Sequence, residues 1–177
     1  MMTPEEYVQL KAFARQDGAL MALLWIGALV CYVQGLTNGL MGLAAVAMIV
    51  ATPFLAANRL RHFRDEARGG SISFGRAYAY TVLVFFYGGL LLAAAMFVYF
   101  YFIDGGYLMG KYQEMMGTEE NRRLLDALGM RREMEEGLRQ LADMRAIDYA
   151  LNMLTANIMA GMLLGIPIAA LKMKHET

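Results

Sequence analysis

Four long stretches of the chain carry no charged residue: Ala19–Leu36, Leu40–Ala57, Ala77–Ile103 and Tyr149–Leu171, of 18, 18, 27 and 23 residues. A helix needs about 20 apolar residues to cross about 30 Å of hydrocarbon, so each stretch predicts a transmembrane helix. A soluble core can hide one such helix but not four. The polar positions collect between them, in a tight Thr37-Asn38-Gly39 turn, a charged loop at 58–76 and a longer segment at 104–148. The predicted fold is all-α: a single polytopic membrane domain over residues 1–177, with four transmembrane helices, an N-terminal interfacial helix, and an outer amphipathic segment continuing into the last span.

Helix signals refine this outline. Thr3-Pro4-Glu5-Glu6 has a capping residue, a proline suited to the first helical position, and a glutamate at the capping-box position. Tyr7, Leu10 and Ala14 follow at helical spacing and predict a short helix lying on the inner leaflet, with Asp17-Gly18 turning the chain into the first span. No basic run precedes that span, which argues against a cleaved signal peptide. Pro53 is expected to kink or end the second span, and Ser71 or Ser73 to cap the third. Beyond Gly129, the residues Met130, Met134, Leu138, Leu141, Met144 and Ile147 recur every three or four positions, the mark of one apolar helical face. No Gly or Pro falls between Gly137 and Gly161, so the last helix is expected to start near Arg131 and run unbroken into the fourth span, about 60 Å in all. Its Met/Leu stripe (Met130, Met134, Leu138, Leu141, Met144) needs apolar cover and reads as an outer subunit interface.

Charge sets the orientation. The N-terminal segment, the 58–76 loop and the C-terminal tail hold nine Lys/Arg and six acids, whereas the turn and 104–148 hold seven and ten. The positive-inside bias places the first set, with both termini, in the cytoplasm and 104–148 in the periplasm. Five arginines, Arg59, Arg61, Arg64, Arg68 and Arg76, lie within 18 residues. Planar guanidinium groups grip phosphate bidentately, so this patch is a candidate site for lipid phosphates or an acidic partner surface, besides its part in setting topology.

Composition narrows the chemistry. Lys plus Arg equals Asp plus Glu at 16 each, so no basic excess points to nucleic acid. The lone Cys31 excludes a disulfide framework, and His62 and His175 are too few and too far apart for a metal centre. Sixteen methionines raise the question of copper, but their spacing is that of a packed stripe without His or Cys support, and no metal or other cofactor is expected. The span interiors contain no Asp, Glu, Lys, Arg or His, which argues against a pump. Gln34, Thr52, Thr81, Tyr87, Asn152, Thr155 and Asn157 suit interhelical hydrogen bonds. Gly88-Gly89 and the Gly161/Gly165 step suit close helix contact or dimerisation. With no nucleophile–base pair, paired carboxylates or phosphate-cradling loop, the chain does not read as an enzyme.

Three stretches carry a resemblance: Phe63-Arg64-Asp65, Gly70-Ser71-Ile72-Ser73-Phe74-Gly75-Arg76-Ala77 and Tyr99-Phe100-Tyr101-Phe102-Ile103-Asp104. Together with the layout of the spans, the sequence resembles an uncharacterised bacterial membrane-protein family, domain of unknown function 4199. Motif agreement is sharpest over 58–104. Gly105 departs from the family, which often has proline after the aspartate. The resemblance implies a small helical protein of the Gram-negative inner membrane. Members are often encoded beside polyprenyl-phosphate glycosyltransferases, which implies an accessory role near a membrane-associated glycosyltransferase. The expected function is therefore a non-enzymatic membrane protein acting as an interaction, anchoring or accessory subunit, with membrane lipids and a protein partner or second copy around it. The alternative is a small dimeric transporter or flippase-like protein for an anionic amphiphile.

Overall fold

The computed structural model describes residues 3–174, and His175 lies outside them. In order, the helices are α1 (Pro4–Gly35), α2 (Gly39–Ala67), α3 (Phe74–Val98, continued by a π-helical turn Tyr99–Ile103), α4 (Tyr107–Gly117), α5 (Glu119–Leu128), α6 (Arg131–Ala142) and α7 (Ala146–Lys172). Among the described residues there is no strand, only one antiparallel bridge between Ile72 and Lys174. Four helices, α1, α2, α3 with its π turn, and α7, are long and apolar enough to cross a membrane. The chain divides into two compact units: 1–95 with 151–177, and 96–150.

In the first unit α1 and α2 form an antiparallel hairpin about the Thr37-Asn38 turn. A Cβ on Gly35 would stand 2.7 Å from Gly42, Gly27 meets Met48, and the Trp25 indole donates to Thr52 Oγ1 at 3.0 Å. These contacts step down the two helices in opposite directions and end at Asp17 and Arg59. On α3 the buried positions come in adjacent pairs, Tyr80-Thr81, Val84-Phe85, Gly88-Gly89 and Leu92-Ala93. That doubled stripe is what a helix needs when it is covered on two sides, here by α1 and α7. The outward faces are apolar: Leu23, Leu43, Phe54 and Leu163 are all exposed, while Asp17, Thr52, Thr81 and Asn157 are buried. Such an arrangement suits lipid as the surrounding solvent.

Several expectations need correction. The chain does not turn at Asp17-Gly18, so there is no separate interfacial helix; α1 runs straight from its capping box at Thr3 and Glu6 to Gly35. Asp17 is satisfied from α2 and α3, and Gly18 is a packing notch where an added Cβ would stand 2.8 Å from Tyr87 Cβ. Pro53 does not end α2, which continues to Ala67. Arg59, Arg61 and Arg64 are therefore helical residues, and the turn proper begins at Arg68. Lastly, α6 and α7 are separate helices. Asp148 accepts from the Arg145 N–H at 2.9 Å and starts α7 afresh, and the Tyr149 hydroxyl donates to the Leu141 carbonyl at 2.6 Å near the end of α6. These local bonds replace the helical ladder across 143–145.

The second unit packs α4, α5 and α6 against one another. Asp104 starts it: its carboxylate accepts from the Tyr99 hydroxyl at 3.0 Å, Gly106 N–H at 3.0 Å and Leu108 N–H at 3.1 Å. Gly105 has φ +52°, a conformation closed to proline, so the turn as built here needs a glycine at this position.

Candidate functional site

The deepest charged group in the first unit is Asp17, 1% exposed. Arg59 Nε donates to its Oδ1 at 2.6 Å and the Tyr80 hydroxyl donates to its Oδ2. That hydroxyl also lies 3.3 Å from the Arg59 carbonyl. Three helices thus meet at one carboxylate. Above it Tyr80 stacks flat on Phe63, centroids 4.5 Å apart, and Phe13 packs on Phe63 at 5.3 Å. Removing a carboxylate from water costs several kcal/mol unless a partner neutralises it and its lone pairs are filled, and both conditions are met here. Asp17 and Arg59 each lie two positions outside the uncharged spans, so the span interiors show no charge. The available signal was the lone aspartate of α1 and the first arginine of α2, which lie at matching distances from the Thr37-Asn38 turn.

The other four arginines are also engaged. Arg64 Nε pairs with Asp65 at 2.7 Å and its Nη1 donates to the Lys172 carbonyl at 3.1 Å, which ties α2 to the end of α7. Arg61, well exposed, stands 3.5 Å from the same Asp65. Arg68 and Arg76 each place Nη2 at 2.8 Å from one oxygen of Glu6. The five do not form one open patch. Arg59, Arg64, Arg68 and Arg76 tie α1, α2, α3 and α7 to one another, while Arg61 pairs within α2.

The predicted packing residues divide. A Cβ on Gly88 would stand 2.8 Å from the Trp25 ring, and one on Gly89 2.8 Å from Asn157 Cβ. At Gly161 it would stand 2.5 Å from Phe85 Cβ, and at Gly165 3.1 Å from the Tyr78 ring. The Gly161/Gly165 step is therefore used within the chain, to seat α7 on α3. Asn157 packs in that seam, but Asn152 is exposed and takes no part in it. The expected interhelical hydrogen bonds are fewer than the polar residues: Thr52 reaches Trp25, whereas Thr81, Thr155 and Asn157 bond back to carbonyls of their own helices.

In the second unit the Met/Leu stripe splits. Met130, Met134 and Leu141 are exposed, with Leu124 and Leu128 of α5 exposed beside them in sequence. Leu138 turns inward to a small cleft with Leu125 and Met116. Met144, together with Leu141, lines a larger cleft of about 420 Å³ beside Asp104, Gln113 and the stacked pair Phe100–Tyr149. Surface charges are paired locally: a hydrogen bond from Lys111 to Glu114, with that carboxylate's charge, lifts the ammonium above its ordinary pKa, and Glu135 and Asp126 do the same for Arg131. Among the described residues no three His, Cys, Asp or Glu side chains gather as a metal site.

No curated relative and no solved structure matches this chain. The family model described as "Protein of unknown function (DUF4199)" matches residues 16–174. That stretch takes in Asp17, all five arginines, α1 from residue 16 onward, the other three long apolar helices and the whole second unit, and the chain belongs to the DUF4199 family of membrane-helical proteins.

Proposed function

We propose that the protein is a non-enzymatic accessory subunit of the bacterial inner membrane, which holds a protein partner through the α5–α6 face. One observation carries this reading. Leu124, Leu128, Met130 and Met134 are 40–60% exposed on and between two short helices, where Arg123, Arg131 and Arg132 are paired with acids along the same surface. Apolar side chains left uncovered on otherwise polar helices favour burial against another polypeptide, each fully buried one contributing about 1.5–3 kcal/mol. The partner fitting this face has an apolar helical stripe of its own, supplied by a membrane-associated enzyme or by a second copy of this chain. Transport of an anionic amphiphile is less well supported, since Gly18, Gly88, Gly89 and Gly161 close the seams of α3 with α1 and α7 to backbone contact. The test is gentle extraction from native membranes of the wild type and of a Leu124→Ser/Leu128→Ser/Met130→Ser/Met134→Ser variant. A partner or second copy retained by the first and lost by the second supports the reading. A wild-type chain that is a lone monomer without partner refutes it.

A further inference from the structure

Arg68 and Arg76 stand on either side of the turn that joins α2 to α3, and both reach the single carboxylate of Glu6 in the first turn of α1. Glu6 is already occupied from its own helix: its Oε2 accepts from the Thr3 N–H at 2.9 Å as part of the capping box. Two guanidinium groups on one carboxylate leave a positive excess. They also leave donors over. On a guanidinium, Nε–H and Nη2–H lie along one edge and together form the fork that takes two oxygens of a carboxylate or phosphate. At Arg68 the Nη2 end of that edge meets Glu6, while Nε is sealed from solvent and has no acceptor. Each buried donor left unpaired costs about 1–3 kcal/mol, so a half-filled fork is a place where a better-shaped anion gains. The segment between the arginines is anchored, since Ile72 is 2% exposed and exchanges backbone bonds with Lys174 at 2.9 and 3.1 Å. Lys174 and Lys172 add further positive charge at this end of the bundle.

We propose that Arg68 and Arg76 form a two-arginine clamp for the phosphate of an anionic phospholipid, and that Glu6 is the internal occupant which the phosphate displaces. A phosphodiester offers two unesterified oxygens at the spacing of the fork. One oxygen meets the vacant Arg68 Nε, and the other takes Arg68 Nη2 together with Arg76. Glu6, 25% exposed, then swings out to water while Thr3 still caps α1 through the Glu6 N–H. The inference goes with the arginine end facing the cytoplasmic leaflet, as the accessory-subunit reading has it. It is independent of what binds α5–α6, so a failure here leaves the partner test untouched, and the reverse.

The experiment is native mass spectrometry of the purified full chain in detergent, titrated with phosphatidylglycerol and, separately, phosphatidylcholine. Phosphatidylglycerol is expected to be retained in preference. Arg68→Gln/Arg76→Gln should weaken its retention about tenfold or more, and Glu6→Gln, which removes the competing carboxylate, should tighten it about fivefold. Arg15→Gln/Arg61→Gln removes two charges from the same end without touching the clamp and should change retention less than about twofold. Arg68→Lys keeps the charge but loses the fork, and should behave like the clamp variant; circular dichroism shows that each variant is folded. Equal losses in the clamp and control variants, full retention by Arg68→Lys, or no gain with Glu6→Gln would each overturn the proposal. Displacement of the lipid by millimolar inorganic phosphate would also overturn it, by assigning the clamp to a soluble phosphate.

Discussion

Replacing Asp17 with alanine deletes the carboxylate on which α1, α2 and α3 converge. Arg59 then keeps its charge at a site where its side chain is only 21% exposed, and Nε loses its partner at 2.6 Å. Tyr80 keeps only the longer contact of 3.3 Å to the Arg59 carbonyl. Breaking a buried ion pair by removing one member costs about 3–5 kcal/mol, and the partial exposure of Arg59 puts this case at the lower end, about 3 kcal/mol. That is roughly a 150-fold shift in the unfolding equilibrium. If the cost is that of an abandoned charge, removing the charge as well should recover much of it. Asp17→Leu/Arg59→Met is thus expected to unfold closer to the wild type than Asp17→Ala does. Trp25, the single tryptophan, packs on Phe85 in the same bundle at 5.4 Å and supplies a fluorescence signal for denaturation in detergent. Two results would refute this account: an Asp17→Ala protein within about 0.5 kcal/mol of wild type, or a double variant less stable than the single one.

Gly161→Ala should cost about 1–3 kcal/mol, because the new methyl would stand 2.5 Å from Phe85 Cβ and only separation of α7 from α3 relieves it. Gly110→Ala in α4 meets nothing within 4 Å and should be neutral or gain up to about 1 kcal/mol; equal melting temperatures for the two would count against the seam. Gly105→Pro should destabilise the second unit by more than about 1 kcal/mol because φ is +52° there. Protease resistance of 104–148 unchanged by that substitution would contradict it.

How legible the fold was depended on the range of the interactions involved. Span number and placement follow from uncharged length alone, and the Thr3 start follows from capping chemistry within a few residues, so these could be read directly. Asp17-Gly18 could not. In sequence the pair looks like a turn, and only the approach of α3, with Tyr80 and Tyr87, makes the aspartate a buried tie and the glycine a notch. The arginines were visible as a cluster, but the acids of Arg59, Arg68 and Arg76 are distant in sequence: Asp17 lies 42 positions from Arg59, and Glu6 lies 70 from Arg76. The break at 143–145 was hidden for a different reason. It contains neither Gly nor Pro, and it is made by Asp148 and Tyr149, side chains that lie beyond it on the next helix.

Ion pairing at the arginine end also bears on orientation, since a bias of nine Lys/Arg against seven is small and several of the nine are paired with acids. Topology, however, is set during insertion, before such pairs form, and acids contribute little to it. The relevant contrast is at the first hairpin: the 37–39 turn has no Lys or Arg, and 58–76 has five. The hairpin should therefore enter turn first, leaving its arginines in the cytoplasm, and α3 and α7 must follow because the start of α1 and the end of α7 lie with those arginines, through Glu6 and the Lys172 carbonyl. In a Cys31→Ala background, Arg132→Cys on α6 should react with a membrane-impermeant maleimide in spheroplasts, while Glu66→Cys on α2 should react only after the membrane is opened. Both positions are exposed, so failure to react reports the membrane and not burial. Labelling of Glu66→Cys in sealed cells would reverse the orientation and place the two-arginine clamp at the opposite leaflet.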